Sequence, residues 1–345
     1  MKTGRDLREV LIELQRQREA KKDYISPAAS LALGEDGHTL NMGENEFSTT
    51  DLFHRQVGAA LSIPAKYYDL MQREKPALLA ENVNSWFATK DASYMLRTMD
   101  GSARALLSDH YRRIDNLEVA STVLPLFAGV PGMQVMSAEV TSQKLFIKVV
   151  DTRREAVCVG DIVQFGVVVS NSEVGLGAVS VQPLIYTLRC TNGMIVNSLG
   201  ERKTHVGRAA KGIEDGFDIY TEETQEAEDR AFLLKLRDVV NSTFDEVKQQ
   251  MIIGKLEEAA GAKITGRVQS VIELTGREYG LSNMEQDGVL KYLIEGGDLS
   301  LYGLSNAVTR YSQDVESYDR ATALEGIGWN VATMDAGRWN EINRT

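Results

Sequence analysis

Residues 94–107, YMLRTMDGSARALL, contain the pattern that decides the fold class. The segments on either side of Asp100-Gly101 have the two-residue period of β-strands, and Asp-Gly is a preferred pair for a tight hairpin turn. A second hairpin is predicted at residues 134–140 and 144–150, QVMSAEV and KLFIKVV. Two more strands are predicted, at residues 162–170 and 178–188. These six segments predict a mostly antiparallel sheet.

Helical periodicity surrounds the strands on both sides. One helix is predicted between the two hairpins, at residues 116–127. Residues 26–47 are rich in Gly, Asn and Asp and are expected to be irregular, with one short strand. The other predicted helices are at residues 5–22, 51–61 and 65–73, a long acidic helix with Leu233 to Met251 on its apolar face, and residues 266–279, 285–294 and 307–325. The pattern predicts an α+β protein with a central mostly antiparallel sheet, one intervening helix, N-terminal helices and a helical, acidic C-terminal third.

Charge divides the chain into three regions. The net charge of the whole chain is −11, but residues 1–96 carry −2, residues 97–211 carry +3 and residues 212–345 carry −12. We therefore predict an N-terminal helical region at 1–92, a mildly basic β-rich core at 93–211 and a helical acidic region at 212–345, which would pack with the core as one unit. Because phosphate binding is largely electrostatic, only the middle region is a candidate for nucleic-acid contact.

The sequence lacks the marks of a membrane or exported protein. No apolar run approaches the roughly 18 residues that a membrane helix needs. The charged N-terminus has no continuous apolar centre of the kind found in secretory signals. The two cysteines, Cys158 and Cys190, are expected to stay reduced. We expect a cytoplasmic protein, in the host cytoplasm if a phage encodes it.

Residues 51–74, DLFHRQVGAALSIPAKYYDLMQRE, predict two helices joined by a short turn. This order resembles a helix-turn-helix, whose second helix contacts DNA. Two helices joined at a proline are also a common packing unit, and Asp69 and Glu74 accompany the three basic residues of the second helix. The packing interpretation is favoured.

A first basic cluster lies around the first hairpin. Guanidinium groups hold phosphates and an aromatic ring stacks on any base, so this cluster suits single-stranded nucleic acid. Alternatively, Arg112 and Arg113 pair with Asp109 and Asp115, and these carboxylates would cancel the positive potential of the cluster. Both interpretations stay open. The candidate residues are Arg97, Arg104, Tyr111, Arg112 and Arg113.

A second basic cluster lies on the second hairpin. Lys144, Phe146 and Lys148 have even spacing, so their side chains should project from one strand face. A basic, aromatic, basic face is what a stacking platform needs, although lysines also protect edge strands from aggregation. Further basic residues would extend the groove, namely Arg153, Arg154, Arg189, Arg202, Lys203, His205 and Arg208.

No catalytic, metal or cofactor site is predicted. Cys190 lies beside Asn192-Gly193, which is better explained as a turn than as part of a nucleophile site. Residues 175–177, GLG, lack the third glycine and following helix of a dinucleotide loop. The four histidines lie far apart in sequence, and two cysteines do not make a structural zinc site. A nuclease with scattered carboxylates remains an alternative.

Four segments follow the order of a known family. They are RALLSDHYRRIDNLEV (104–119), VVVSNSEVGLGAVSV (167–181), RCTNGMI (189–195) and LYGLSNAVTRYSQD (301–314), and IPAKYYDLM (63–71) and Lys203-Thr-His205 fit the same order. The chain resembles the family of unknown function numbered 932, whose members travel on phages and plasmids and have no established reaction. At the level of fold, the middle region also resembles single-strand annealing recombinases, which implies oligomeric rings with a basic groove.

The leading hypothesis is a phage or plasmid protein that binds and anneals single-stranded DNA. It would act without a cofactor, as a homo-oligomer, with a ring as the expected form. A ring would join the weakly basic middle regions into one track. The alternative is an interaction protein that modulates a host defence or replication enzyme through its acidic helices. A metal-dependent nuclease is the third possibility.

Overall fold

The structure, a computed structural model, describes residues 1–111, 113–158, 161–177, 179–188, 191–197, 201–203 and 222–344. Helices and strands both contribute substantially, so the predicted α+β class is confirmed. The strands form two sheets instead of one central sheet. The two predicted hairpins are both present, but each belongs to a different sheet. No helix in the described ranges is long and apolar enough to cross a membrane.

The first sheet has the strand order β1-β5-β6-β4-β3-β2. Its strands are β1 Lys21–Pro27, β2 Leu31–Leu33, β3 Thr39–Met42, β4 Asn45–Thr49, β5 Ser93–Met99 and β6 Ser102–Ser108. The β5–β6 hairpin turns at Asp100 and Gly101, which both have positive φ angles of 52° and 75°. This is the pairing expected of a two-residue hairpin turn. Among the strands that the structure describes, only β4 and β6 pair in parallel.

Four strands of this sheet come from residues 1–92, which were expected to be mainly helical with one short strand. All but one of these strands were missed because they are short and lack a two-residue apolar pattern. The helices of this region are α1 Leu7–Ala20, α2 Asp51–Ala60, α3 Ala65–Glu74 and α4 Pro76–Thr89. The side chain of Thr50 caps α2, as its position predicts. The sheet and α2 to α4 enclose one apolar core, which includes Leu40, Phe53, Leu79, Phe87 and Leu96.

The second sheet has the order β11-β10-β9-β8-β7, with β12 also beside β10. Its strands are β7 Met133–Val140, β8 Leu145–Cys158, β9 Asp161–Asn171, β10 Val179–Thr187, β11 Asn192–Ile195 and β12 Glu201–Lys203. The turn predicted at Asn192-Gly193 is wrong, since both residues lie in β11 and the positive φ of 53° falls on Thr191. The one intervening helix is confirmed as α5 Asn116–Ala128.

Helices bury both faces of the second sheet. One face packs against α1 and α5 through Val10, Leu14, Val123 and Ile147. The other face packs against the C-terminal helices, with Phe165 and Ile185 among the shared core residues. A strand buried on both faces needs a continuous apolar run, and residues 165–169, FGVVV, provide it.

The C-terminal region is helical, as predicted, but two of its predicted helices are each divided. Its helices are α6 Glu222–Thr243, α7 Glu246–Gly261, α8 Val268–Tyr279, α9 Asn283–Gly296, α10 Leu301–Tyr311, α11 Tyr318–Ala332 and α12 Ala336–Asn343. The long acidic helix breaks before Asp245, which caps α7 with its carboxylate. The helix expected at 307–325 breaks before Ser317, which caps α11. A new N-cap ends the earlier helix even where the apolar period continues.

Candidate nucleic-acid interface

The first predicted cluster forms a buried ion-pair network. Arg97 is 3% exposed and bonds the carboxylates of Asp23, at 2.8 Å, and Asp115, at 2.9 Å. Arg104 is also buried, with its guanidinium 3.6 Å from Glu173. Because these guanidiniums are enclosed and neutralised by carboxylates, neither is placed to contact a phosphate. The prediction that Arg97 and Arg104 contact a nucleic-acid strand is therefore wrong. Asp115, which was expected to pair with Arg112 or Arg113, pairs with Arg97.

Glu173 lies at the centre of this network, where loops of the two sheets meet. Its carboxylate accepts hydrogen bonds from the ammonium of Lys21, at 2.9 Å, and from the backbone N–H of Asn116, at 2.6 Å. The hydroxyl of Tyr111 donates to the carbonyl of Ser172, so this ring is held against the same loop. Burial raises the pKa of Tyr111. The network therefore joins the two sheets, and Tyr111 is a packing residue rather than a stacking platform.

Arg113 is the exposed member of the first cluster. Its side chain is 59% exposed and lies 3.5 Å from Asp23 at the rim of the network. The predicted pairing of Arg113 with a carboxylate is therefore found, but with Asp23 instead of Asp109 or Asp115. Arg112 lies outside the described residues.

Phe146 and Lys148 of the second cluster lie on one strand face, as predicted, but that face is buried. Phe146 and Lys148 both contact Tyr318 of α11, the rings of Phe146 and Tyr318 being 5.4 Å apart. That face is covered by the helix, and Lys148 and Glu325 are both 0% exposed in a pair of 2.7 Å. Burial lowers the pKa of Lys148, an effect that the Glu325 carboxylate opposes. The stacking-platform prediction is wrong for Phe146 and Lys148, and Lys144 is half-buried in the turn before β8.

A bulge in β8 presents Arg153 and Arg154. Residues 151–154 stand against a single residue of β9, since the strand register shifts between Val150 and Glu155. The carboxylate of Asp151, buried at 1% exposure, accepts a hydrogen bond from the backbone N–H of Arg153 and lies 3.3 Å and 3.4 Å from the two guanidiniums. The arginine side chains keep 50% and 45% of their surface exposed. We call residues 151–154 the arginine bulge.

Gly132, at the start of β7, shapes the arginine bulge. Its φ is +86°, and a Cβ atom there would lie 2.0 Å from Nε of Arg153. Its carbonyl accepts hydrogen bonds from the backbone N–H and the hydroxyl of Thr152. Only glycine gives the Arg153 side chain this close approach to the backbone. The sequence signal for the site was therefore more than Arg153-Arg154 alone, since Gly132 and Asp151 build it.

An open cleft of about 580 Å³ lies beside the arginine bulge. It separates the bulge from the junction of α6 and α7. Arg154 crosses part of it, donating to the carbonyl of Phe244 and lying over that residue's ring at 5.4 Å. The cleft contains both signs of charge. Its lining residues are Val130, Asp151, Arg154, Asp238, Asn241, Ser242, Phe244, Asp245 and Lys248.

Other predicted residues are not brought to this cleft by any described contact. Arg189, Cys190, His205 and Arg208 lie outside the described residues. Arg202 and Lys203 belong to β12, where they pair along the backbone with Ser180 and Val179. Within the described part of the chain, no group of three or more His, Cys, Asp or Glu side chains could hold a metal ion.

Comparison with known proteins gives no further assignment. No protein-family model matches the chain, and no match is found among curated proteins or solved structures. The resemblance to family 932 therefore stays a prediction from the quoted segments.

Proposed function

We propose that the protein binds single-stranded nucleic acid, with the arginine bulge as the contact to the phosphate backbone. The observation that carries this proposal is the pair of half-exposed guanidiniums of Arg153 and Arg154, held by the buried Asp151 next to an open cleft. Guanidinium groups match the geometry of phosphate oxygens and stay charged at all relevant pH values. Arg113 supports binding from the other basic cluster as an exposed cation.

The shape of the cleft favours a single strand over a duplex. Its volume of about 580 Å³ lies in the range of pockets for small organic ligands. A flexible strand can place individual nucleotides there, whereas a duplex is stiff over about 150 base pairs. The ring of Phe244, already beside Arg154, provides an aromatic surface next to the phosphate contacts. Phosphate contacts and stacking on a ring do not depend on which base is bound.

The carboxylates that line the cleft lower its affinity for a nucleic-acid strand. Asp238 and Asp245 line the cleft, and the whole chain carries −11. Repulsion from these groups makes binding by a single subunit weak. The proposal therefore includes a homo-oligomer, with a ring as its expected form, in which several arginine bulges contact one strand and gain affinity through effective concentration. Annealing would follow if the bases of the bound strand stay accessible.

A salt titration tests the proposal. Fluorescence anisotropy of a labelled oligothymidine is measured from low to physiological salt for the wild type and for Arg153→Ala with Arg154→Ala. We expect the double variant to bind more weakly and its log–log salt slope to fall by about 1.4, because each single-strand phosphate contact contributes roughly 0.7. Arg338→Ala is the matched control, since that arginine is also paired with carboxylates and 43% exposed. An unchanged slope in a folded double variant would refute the assignment.

The acidic helices favour a second candidate, a protein that binds a host enzyme. Leu234 on α6 and Val247 and Met251 on α7 are large apolar side chains that are more than half exposed. Exposed apolar side chains on acidic helices are typical of a protein-binding surface. In this alternative the helices compete for a basic site on the partner. Wild-type protein that fails to bind any single strand at low salt would shift the assignment to this candidate.

A further inference from the structure

The turn between α2 and α3 is short, as in a helix-turn-helix. After α2 ends at Ala60, Ser62 takes a positive φ of 56°, and the backbone N–H of Ile63 bonds the carbonyl of Gly58 at 2.8 Å. Pro64 then starts α3. A single left-handed residue in a short turn redirects the chain sharply, as this motif requires. The feature lies far in sequence from the arginine bulge.

The inner faces of the two helices are fitted closely to each other. A Cβ atom on Gly58 would lie 3.2 Å from the ring of Tyr68, so glycine permits the close approach of α3 to α2. The hydroxyl of Tyr68 is 2.8 Å from Nδ1 of the buried His54. In addition, α2 is fixed to the first sheet, since Gln56 accepts a hydrogen bond from the backbone N–H of Leu106. The pair is therefore a rigid unit mounted on the sheet.

The outer face of α3 is unusually open. The helix buries only Tyr68 and Met71. Tyr67 and Leu70 are 46% and 43% exposed although both are large and apolar. Apart from Ala65, the remaining exposed side chains of α3 and its C-cap are charged, at Lys66, Asp69, Arg73, Glu74 and Lys75. Tyr67 and Leu70 therefore stay accessible on this face.

We propose that α3 is a recognition helix that binds duplex DNA in the major groove, a function separate from the single-strand contact of the arginine bulge. The first helix of such a motif crosses the backbone and the second presents side chains to base edges. Lys66 and Arg73 contact phosphates on either side of the groove, while Tyr67 and Leu70 contact thymine methyl groups. Arg73 is 2.9 Å from Glu74, but this pair is solvent-exposed and exchanges easily for a phosphate.

The charges of this face are compatible with a DNA partner. Three cations, Lys66, Arg73 and Lys75, stand against two carboxylates, Asp69 and Glu74. The local excess is positive in a chain whose net charge is −11. Asp69 is compatible with a groove, because a carboxylate accepts a hydrogen bond from the amino group of cytosine.

Two matched variants test the proposal. Binding of a labelled mixed-sequence duplex and of its isolated strand is measured across salt for full-length wild type, Lys66→Ala with Arg73→Ala, and Arg153→Ala with Arg154→Ala. We expect the α3 variant to lose affinity for the duplex, with a salt slope lower by about 1.8, because each duplex phosphate contact contributes roughly 0.9. Its single-strand binding should stay unchanged, and the bulge variant should show the reverse pattern.

The outcomes separate the two proposals. No duplex binding by the wild type at low salt, or an unchanged duplex slope in the α3 variant, overturns the recognition-helix proposal and leaves the single-strand proposal standing. Tyr67→Ala with Leu70→Ala provides a second measurement that does not depend on charge. If this variant abolishes self-association while duplex binding is unchanged, the face of α3 contacts another copy of the protein and the proposal is wrong. Thermal unfolding of each variant confirms that these exposed substitutions leave the fold intact.

Discussion

Replacing Lys148 with methionine is expected to lower the free energy of unfolding by about 3–5 kcal/mol, the cost of removing one partner of a buried ion pair. Lys148 and Glu325 are both 0% exposed and their charged atoms are 2.7 Å apart. In the described part of the chain, Oε1 of Glu325 has no hydrogen-bond partner, and the ammonium of Lys148 donates a hydrogen bond to Oε2. Methionine has a similar length, so the loss of charge dominates over the loss of volume.

The assay is urea unfolding followed by the fluorescence of the three tryptophans. The double variant, Lys148→Met with Glu325→Leu, should regain much of the lost stability, because it removes both members of the buried pair. Lys291→Met is the control, since Lys291 and Glu295 form an exposed pair at 4.0 Å. We expect that control to change stability by less than about 1 kcal/mol. The reasoning fails if Lys148→Met costs no more than the control, because Lys148 would then be accessible to solvent and to phosphate.

Three further predictions concern other parts of the molecule. Gly132→Ala should lower the free energy of unfolding by about 1–2 kcal/mol, because alanine is strained in a left-handed backbone, and it should reduce the salt slope of single-strand binding. Gly129→Ala is the control, since Gly129 has a φ of −74°, and it should change neither property. Burial lowers the pKa of His54 from 6.5 to about 4. Unfolding therefore takes up a proton below pH 6.5, and the urea midpoint should fall between pH 6.5 and 4 more steeply than in His54→Gln. Magnesium or manganese should not start strand cleavage on a gel; cleavage would favour the nuclease alternative.

Local patterns predicted the local structure well. The two hairpins, the helix at 116–127 and the cap at Thr50 follow from residue period and from turn and cap chemistry, which act over a few neighbouring residues. All but one of the strands of residues 21–49 were missed because they are short and depend on pairing within the sheet. Pairing across about 70 residues, as between β1 and β5, leaves no local signal.

For the candidate site, too, the sequence predicted local features but not which residues are buried. Even spacing correctly placed Phe146 and Lys148 on one strand face, but it could not show that α11 covers that face. Nor could it show that Arg97 is enclosed by carboxylates while Arg153 and Arg154 stay exposed. Burial depends on what packs against a residue from elsewhere in the chain, and every basic side chain has the same charge in the sequence.

The sequence by itself determined the α+β class, most helices, both hairpins and the uneven distribution of charge. Those properties depend on the identity and spacing of neighbouring residues. Only the tertiary structure decided that the strands divide into two sheets, that Arg97, Arg104 and Lys148 are buried against carboxylates, and that Arg153, Arg154 and the outer face of α3 stay exposed. These outcomes depend on contacts between distant segments, since a charge keeps its hydration only where no other element covers it.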